Sequence, residues 1–204
     1  MTPAVAIGFR VKSGWATAVL LRGPASAPSV LDRRRVELSD PATPQSRQPY
    51  HAGLEHETAA PAAVARLTGV VARCARQSLD ALLRDYGPAG RKVRAIGVVV
   101  GSTVDPRTIA NPHIRAHAAE GQLFRTVLTD AAERRGMAAT IVRERDLHST
   151  VASALGRPVA TLRQAAKELG RQVDGPWAAD DKAAALVAWL VLSGRPRGST
   201  RLRT

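Results

Sequence analysis

The stretch Val93-Arg94-Ala95-Ile96-Gly97-Val98-Val99-Val100 decides the fold, because it is apolar at nearly every position. Such a run is typical of a strand buried on both faces near the centre of a parallel sheet. The segments on either side predict helices. The first has apolar residues at steps of three and four from Val64 to Leu82 and ends at Gly87-Pro88. The second begins at Asn111-Pro112, which suits an N-cap and a first helical residue, and ends before Gly136.

The remaining elements extend outward from this centre. Three strands are predicted before the first helix, and the first two form a hairpin around Lys12-Ser13-Gly14. A fifth strand and two helices complete the chain. The predicted strands are Ala4–Val11, Trp15–Arg22, Ser29–Leu38, Val93–Val100 and Ala138–Val142, and the last two helices are Thr161–Arg171 and Trp177–Leu192. The order β-β-β-α-β-α-β-α-α predicts an α/β fold, with a mixed five-stranded sheet, helices on both faces and the first three strands antiparallel in sequence order.

Length and composition predict one domain over residues 1–193, followed by a basic tail, 194–204, that is rich in Gly, Pro and Ser and expected to be disordered. No apolar run reaches the roughly 18 residues that a membrane span needs. The N-terminus has no basic segment before its apolar stretch, which argues against a secretory signal. The single cysteine, Cys74, excludes an internal disulfide framework, so a reducing, cytoplasmic setting is expected.

The chain carries 30 Lys and Arg against 17 Asp and Glu, a formal net charge of +13. A field of this sign attracts phosphate polymers, so DNA or RNA is the expected partner. An arginine-rich composition is also found in proteins from GC-rich genomes, which leaves a compositional explanation open. The sequence does not indicate an oligomeric state.

Two stretches carry a family resemblance. The last helix opens with Trp177-Ala178-Ala179-Asp180-Asp181-Lys182-Ala183-Ala184-Ala185-Leu186, and the first hairpin joins Ala6-Ile7-Gly8-Phe9 to Ser13-Gly14-Trp15-Ala16. With the element order, they resemble the ribonuclease-H-like superfamily, and within it the RuvC-type Holliday-junction resolvases of bacterial type. That resemblance implies nucleic-acid binding and, in the resolvases, phosphoryl transfer by two divalent metal ions held by carboxylates.

The chain departs from the catalytic pattern of that family. The family's Asp on the first strand would fall near Phe9–Arg10, and its Glu at the end of the fourth strand near Gly101–Ser102, and neither pair contains a carboxylate. On the last helix, Asp180 matches one family acid, while Trp177 lies where the other is expected. The same missing strand-one Asp weakens a resemblance to the actin-like ATPases.

In this fold, strands one, three, four and five end at one edge of the sheet, where ligands of open α/β sheets bind. The loops 39–57 and 102–111 and the residue Glu144 should therefore lie at that edge. Glu144 and Asp180 are the candidate catalytic residues.

The helix after strand four begins at the same edge. At 100° per residue, His113, His117 and Glu120 share a stripe with the apolar Phe124 and Leu128. Two imidazoles at i and i+4 with a carboxylate three residues on can hold a metal such as zinc, so His113, His117 and Glu120 are the candidate metal ligands. The alternatives are a role in lining a ligand site and a solvated first turn with ordinary hydrogen bonds.

Three lesser candidates have simpler explanations. His51 lies in the loop at the same edge, where histidines are usually solvated. The turn Lys12-Ser13-Gly14 could hold a phosphate, although most such turns are only turns. Cys74 is expected to pack on the apolar face of its helix.

Three functions remain open from the sequence. The leading one is a nucleic-acid-associated protein of ribonuclease-H-like fold, either a diverged nuclease or one without catalysis. The second is a metal-dependent or small-molecule enzyme that uses His113, His117 and Glu120, with a divalent metal as cofactor. The third is a non-catalytic interaction module. Residue types and spacing alone do not decide whether the chain is an enzyme.

Overall fold

A computed structural model describes residues 4–52, 60–87, 93 and 95–194 of the chain. Its five strands form one sheet in the order β3-β2-β1-β4-β5. The strands are β1 (Val5–Lys12), β2 (Trp15–Arg22), β3 (Ser29–Glu37), β4 (Ala95–Val100) and β5 (Ala138–Arg143). β2 pairs antiparallel with β1 and β3, while β4 pairs parallel with β1 and β5. The predicted mixed sheet is confirmed, and β4 is an interior strand, although β1 occupies the middle.

Helices cover both faces of the sheet, as predicted. α2 and α3 pack on one face, and α4, α5 and α6 pack on the other. The helices are α1 (Pro49–Ala52), α2 (Ala60–Tyr86), α3 (Pro112–Glu133), α4 (Leu147–Leu155), α5 (Val159–Leu169) and α6 (Ala179–Leu192). The Asn111 side chain accepts a hydrogen bond from the backbone amide of Ile114 at 3.1 Å, which confirms the expected N-cap of α3.

Helix α4 was not predicted, and the short α1 lies inside a segment that was predicted to be a loop. Four of the nine residues of α4 are Ser, Thr or Val, which are weak helix formers. Leu147 and Val151 are nevertheless buried in the core beside α6, and Gly156 ends the helix in the left-handed conformation with φ 64°. Tertiary packing therefore outweighs local preference here.

Helix α6 approaches the sheet very closely at two glycines. A Cβ atom on Gly8 of β1 would lie 1.9 Å from the backbone oxygen of Ala184, and one on Gly97 of β4 would lie 2.6 Å from a methyl carbon of Val187. Only glycine permits this approach. The glycines therefore fix how near the middle of α6 lies to β1 and β4.

The pairing directions bring the carboxyl ends of β1, β3, β4 and β5 to one edge, as expected. α1 follows β3 and α3 follows β4, so both begin from that edge. No helix in the described part of the chain is long and apolar enough to cross a membrane. The tail expected over 194–204 lies outside the described residues beyond Gly194, as does Pro88 of the predicted stop of α2.

Candidate functional site

The first polar cluster at the carboxyl edge centres on Arg10. Along β1, Ile7, Phe9 and Val11 point into the core under α2 and α3, so the alternate residues Gly8 and Arg10 face α6. The Arg10 side chain is only 6 % exposed. A guanidinium buried to this degree needs charged or hydrogen-bonding partners.

Both candidate catalytic carboxylates contact Arg10. Its Nη2 donates to Glu144 Oε2 at 2.6 Å, and its Nε lies 3.7 Å from Asp180 Oδ1. Its Nη1 donates to the backbone oxygen of Val11 at 2.7 Å, while the buried Nε has no hydrogen-bond partner in the described residues. Lys12 adds a second cation, with Nζ 3.3 Å from Asp180 Oδ1. Two carboxylates thus meet two cations, which we call the Arg10 cluster: Arg10, Lys12, Glu144 and Asp180.

The two adjacent acids of α6 have different partners. Asp181 is buried and accepts a hydrogen bond from the backbone amide of Ala178 at 2.7 Å, so it caps the first turn of the helix. Its second oxygen lies 3.8 Å from Arg33 Nε. Asp180 points instead to Arg10 and Lys12, so only Asp180 belongs to the edge.

An open depression of about 610 Å³ adjoins the Arg10 cluster and shares Lys12 and Asp180 with it. Its lining also includes Trp15, which is partly exposed, and Arg47. The Arg35 guanidinium stacks 4.3 Å from the centroid of the Trp15 ring. We call this the Lys12 depression: Lys12, Ser13, Trp15, Arg47, Gln48 and Asp180. It combines positive charge with an aromatic face.

The second polar cluster joins α3 to α1. Glu120 is completely buried, and its Oε1 accepts a hydrogen bond from His51 Nδ1 at 2.8 Å. His113 Nε2 and His117 Nε2 lie 3.2 Å apart, and His117 Nδ1 is 3.9 Å from Glu120 Oε2. The centroids of the three imidazole rings are 4.3 to 4.9 Å apart. We call these four residues the histidine cluster.

The predicted stripe on α3 places Glu120 in the interior, as observed, but the two histidines that share the stripe are more exposed than expected. Glu120 is shielded, as expected from its place beside Phe124, but His113 is exposed and the His117 side chain is 52 % exposed. Glu144 and Asp180 contact Arg10, while His51 and His117 contact Glu120, and no hydrogen bond or ion pair among the described residues joins the two clusters. These contacts define two clusters at one edge of the sheet.

Sequence reasoning missed Arg10 and undervalued His51. A signal for Arg10 was present, because a charged residue on the α6 side of an otherwise apolar strand must be paired. His51 was assigned to the correct edge, but its contact with Glu120 joins residues 69 positions apart and cannot be read from local spacing.

Tyr50 lies beside the histidine cluster. Burial raises the pKa of its phenol, and the negative charge of Glu120 raises it further. The phenol therefore stays neutral beyond its ordinary range. It lines a second depression of about 460 Å³, together with Pro112, Arg115 and Ala116 of α3.

No protein-family model matches the chain, and no curated protein matches it. Solved structures do. One is T. thermophilus RuvC in complex with Holliday junction substrate, at 12 % identity and TM-score 0.51, with 94 % of each chain covered. A second Thermus thermophilus RuvC structure has 12 % sequence identity and a TM-score of 0.49, with 93 % of this chain and 95 % of that chain covered. A yeast mitochondrial Holliday junction resolvase has 10 % sequence identity and a TM-score of 0.45, with 95 % of this chain and 80 % of that chain covered. Together with the observed sheet order and helix placement, the first match shows that this chain has a ribonuclease-H-like fold of the RuvC type.

Proposed function

We propose that this chain binds nucleic acid at the carboxyl edge of its sheet and does not hydrolyse it by two-metal catalysis. The observation that carries the proposal is the burial of Arg10 between Glu144 and Asp180. The guanidinium of Arg10 therefore lies between the two candidate catalytic carboxylates, where a catalytic metal ion would need them free.

The Lys12 depression supports the binding half of the proposal. Lys12 and Arg47 are suited to phosphate oxygens, and the partly exposed Trp15, with Arg35 over its ring, offers an aromatic group for contact with bases. The net charge of +13 favours association with a polyanion. The RuvC of T. thermophilus, which shares the fold, was solved in complex with a Holliday junction.

The available carboxylates support the second part of the proposal, that the chain does not hydrolyse nucleic acid by two-metal catalysis. Two-metal phosphoryl transfer needs several carboxylates free to hold cations between them. In this chain Glu144 and Asp180 are already paired with Arg10 and Lys12. The ends of β1 and β4 offer Phe9 to Val11 and Gly101 to Ser102, none of which is acidic. These residues do not fit a pair of divalent ions.

The binding test uses fluorescence anisotropy with a labelled four-way junction, a duplex and a single strand, each over a salt series. We expect micromolar-range, sequence-independent binding that weakens steeply with salt, as counterion release requires. The double variant Lys12→Ala/Arg47→Ala should bind several-fold more weakly. Its control is Arg76→Ala/Arg84→Ala, which removes the same charge from exposed positions on α2. Absence of binding at low salt, or equal losses in the two double variants, would contradict the proposed site and favour an interaction module.

The catalytic test incubates the same nucleic acids with Mg²⁺ or Mn²⁺ and follows cleavage on denaturing gels. We expect little or no cleavage. Robust metal-dependent cleavage that Asp180→Asn abolishes would contradict the proposal and show that Asp180 takes part in catalysis.

A further inference from the structure

We infer that His51, His113 and His117 form a binding site for one divalent transition-metal ion of the zinc type. The three side chains come from α1 and α3 and can each offer a ring nitrogen, and these nitrogens all lie within 4.8 Å of one another. This site is separate from the Arg10 cluster and does not depend on nucleic-acid binding.

The tautomer of His51 is the first argument. A carboxylate only accepts hydrogen bonds, so the 2.8 Å contact with Glu120 Oε1 places the proton of a neutral His51 on Nδ1. Nε2 then carries a lone pair. This atom is buried and has no hydrogen-bond partner among the residues that the structure describes. A buried acceptor without a donor is unusual, and a metal ion bound there would satisfy it.

The spacing of the other two ligands is the second argument. A tetrahedral zinc ion with bonds of 2.0–2.1 Å to nitrogen holds its ligand atoms about 3.3 Å apart. His113 Nε2 and His117 Nε2 already lie 3.2 Å apart, one turn from each other on α3. Both side chains are exposed and can turn toward His51 without disturbing the core. Their exposure also leaves a fourth position open to water or to a ligand.

Glu120 is a positioning residue in this site. Its bond to His51 Nδ1 is the arrangement in which a carboxylate behind a metal-bound imidazole fixes the ring and raises its basicity. Its other oxygen, Oε2, is buried, has no hydrogen-bond partner within the described part of the chain, and faces His117 Nδ1 at 3.9 Å. The carboxylate therefore lies behind two of the three rings, and its negative charge offsets part of the charge of a divalent ion.

The chemistry of the donors selects the kind of metal. Imidazole nitrogens favour zinc, cobalt, nickel and copper over magnesium and calcium, which take oxygen ligands. The competing explanation is a hydrogen-bonded histidine cluster that shares protons and binds no metal. The two explanations differ in stoichiometry and in the response to substitution.

The test is isothermal titration of the full chain with Zn²⁺, and separately with Co²⁺ followed by its visible absorption, without nucleic acid. We expect one ion per chain, tetrahedral cobalt bands, and no comparable binding of Mg²⁺. His51→Gln and His117→Gln should each weaken Zn²⁺ binding roughly 100-fold, and Glu120→Gln roughly 10-fold, as the loss of a carboxylate behind a ligand does. His148→Gln on α4, outside the cluster, is the matched control and should leave the affinity unchanged.

Circular dichroism confirms that each variant is folded before titration. His113→Gln alters an exposed side chain and serves in place of His51→Gln if that variant does not fold. Binding far below one ion per chain, or equal affinity in the His117 and His148 variants, would overturn the inference. Because nucleic acid is absent, that outcome would leave the proposed binding at the Lys12 depression intact.

Discussion

The Arg10 cluster and the histidine cluster lie at the same edge of one sheet but differ in how their charges are balanced. In the first, two carboxylates face two cations of the chain itself. In the second, one buried carboxylate faces two of three clustered imidazoles, and acceptor atoms on His51 and Glu120 have no hydrogen-bond partner among the described residues. Carboxylates at a sheet edge therefore do not by themselves indicate a metal site. What decides is whether the protein already supplies the counter-charge.

The largest expected effect comes from displacing α6, which carries Asp180. Gly8→Ala places a methyl group 1.9 Å from the Ala184 backbone oxygen, and the helix must move to admit it. We expect a loss of about 3 kcal/mol or more in the free energy of unfolding, since overpacking against backbone cannot be relieved by a rotamer change. Urea unfolding measures it. Gly69→Ala on α2 is the control, because among the described residues nothing beyond its own stretch of helix lies within 4 Å of the new methyl group. Comparable losses in both variants would show that the close approach of α6 is not the constraint.

The next largest effect tests whether Arg10 supplies the counter-charge for the carboxylates of the Arg10 cluster. Arg10→Met leaves Glu144 and Asp180 without their shared guanidinium, and we expect a loss of about 2 kcal/mol in unfolding free energy, moderated because Glu144 is half exposed. The vacated carboxylates should then attract a hard cation, so Mg²⁺ should stabilise the variant and not the unaltered protein. Thermal unfolding with and without Mg²⁺ checks both points. Arg107→Met, which removes a fully exposed arginine paired with Asp105, should give no measurable change. An Arg10→Met protein as stable as the original would mean that the ion pairs contribute nothing.

The smallest effect probes the charge of the histidine cluster. Glu120 raises the pKa of Tyr50, because a nearby negative charge disfavours the phenolate, and burial raises it more. Glu120→Gln should therefore lower the pKa of Tyr50, while burial keeps it above the ordinary value of about 10. Nuclear magnetic resonance of ring-labelled tyrosine follows the titration. Tyr86 is the internal control, since its pKa is raised by burial and by its hydrogen bond to Asp32. A Tyr50 pKa unmoved by the substitution would place the negative charge elsewhere than on Glu120.

The fold could be predicted from pattern because its signals are local. The apolar run before Gly101 identified an interior strand, and the periodicity on either side identified α2 and α3. Helix α4 was not predicted, because its Ser, Thr and Val residues favour helix weakly and the helix is stabilised by the burial of Leu147 and Val151.

The sites could be predicted only in part. Helical geometry was enough to join Glu120 to the apolar stripe, since all those residues share one helix. The partners of Arg10 and Glu120 lie on other elements, 134 and 69 residues away in sequence. Such pairings depend on how elements dock, and no spacing rule within a segment encodes them.

Lys12 belongs to both the Arg10 cluster and the Lys12 depression. Its ammonium group can therefore pair either with Asp180 or with an anion in the depression. An anion that takes the Lys12 ammonium competes with Asp180 for the same charge. Anion binding in the depression and the strength of the Lys12 to Asp180 pair are therefore thermodynamically linked, and each weakens the other by the same factor. Replacing Asp180 by a neutral residue would leave the Lys12 ammonium free to pair with the anion. Asp180, which matches a catalytic acid of the resembled family, would therefore lower the affinity of the Lys12 depression for the anion that we propose it binds.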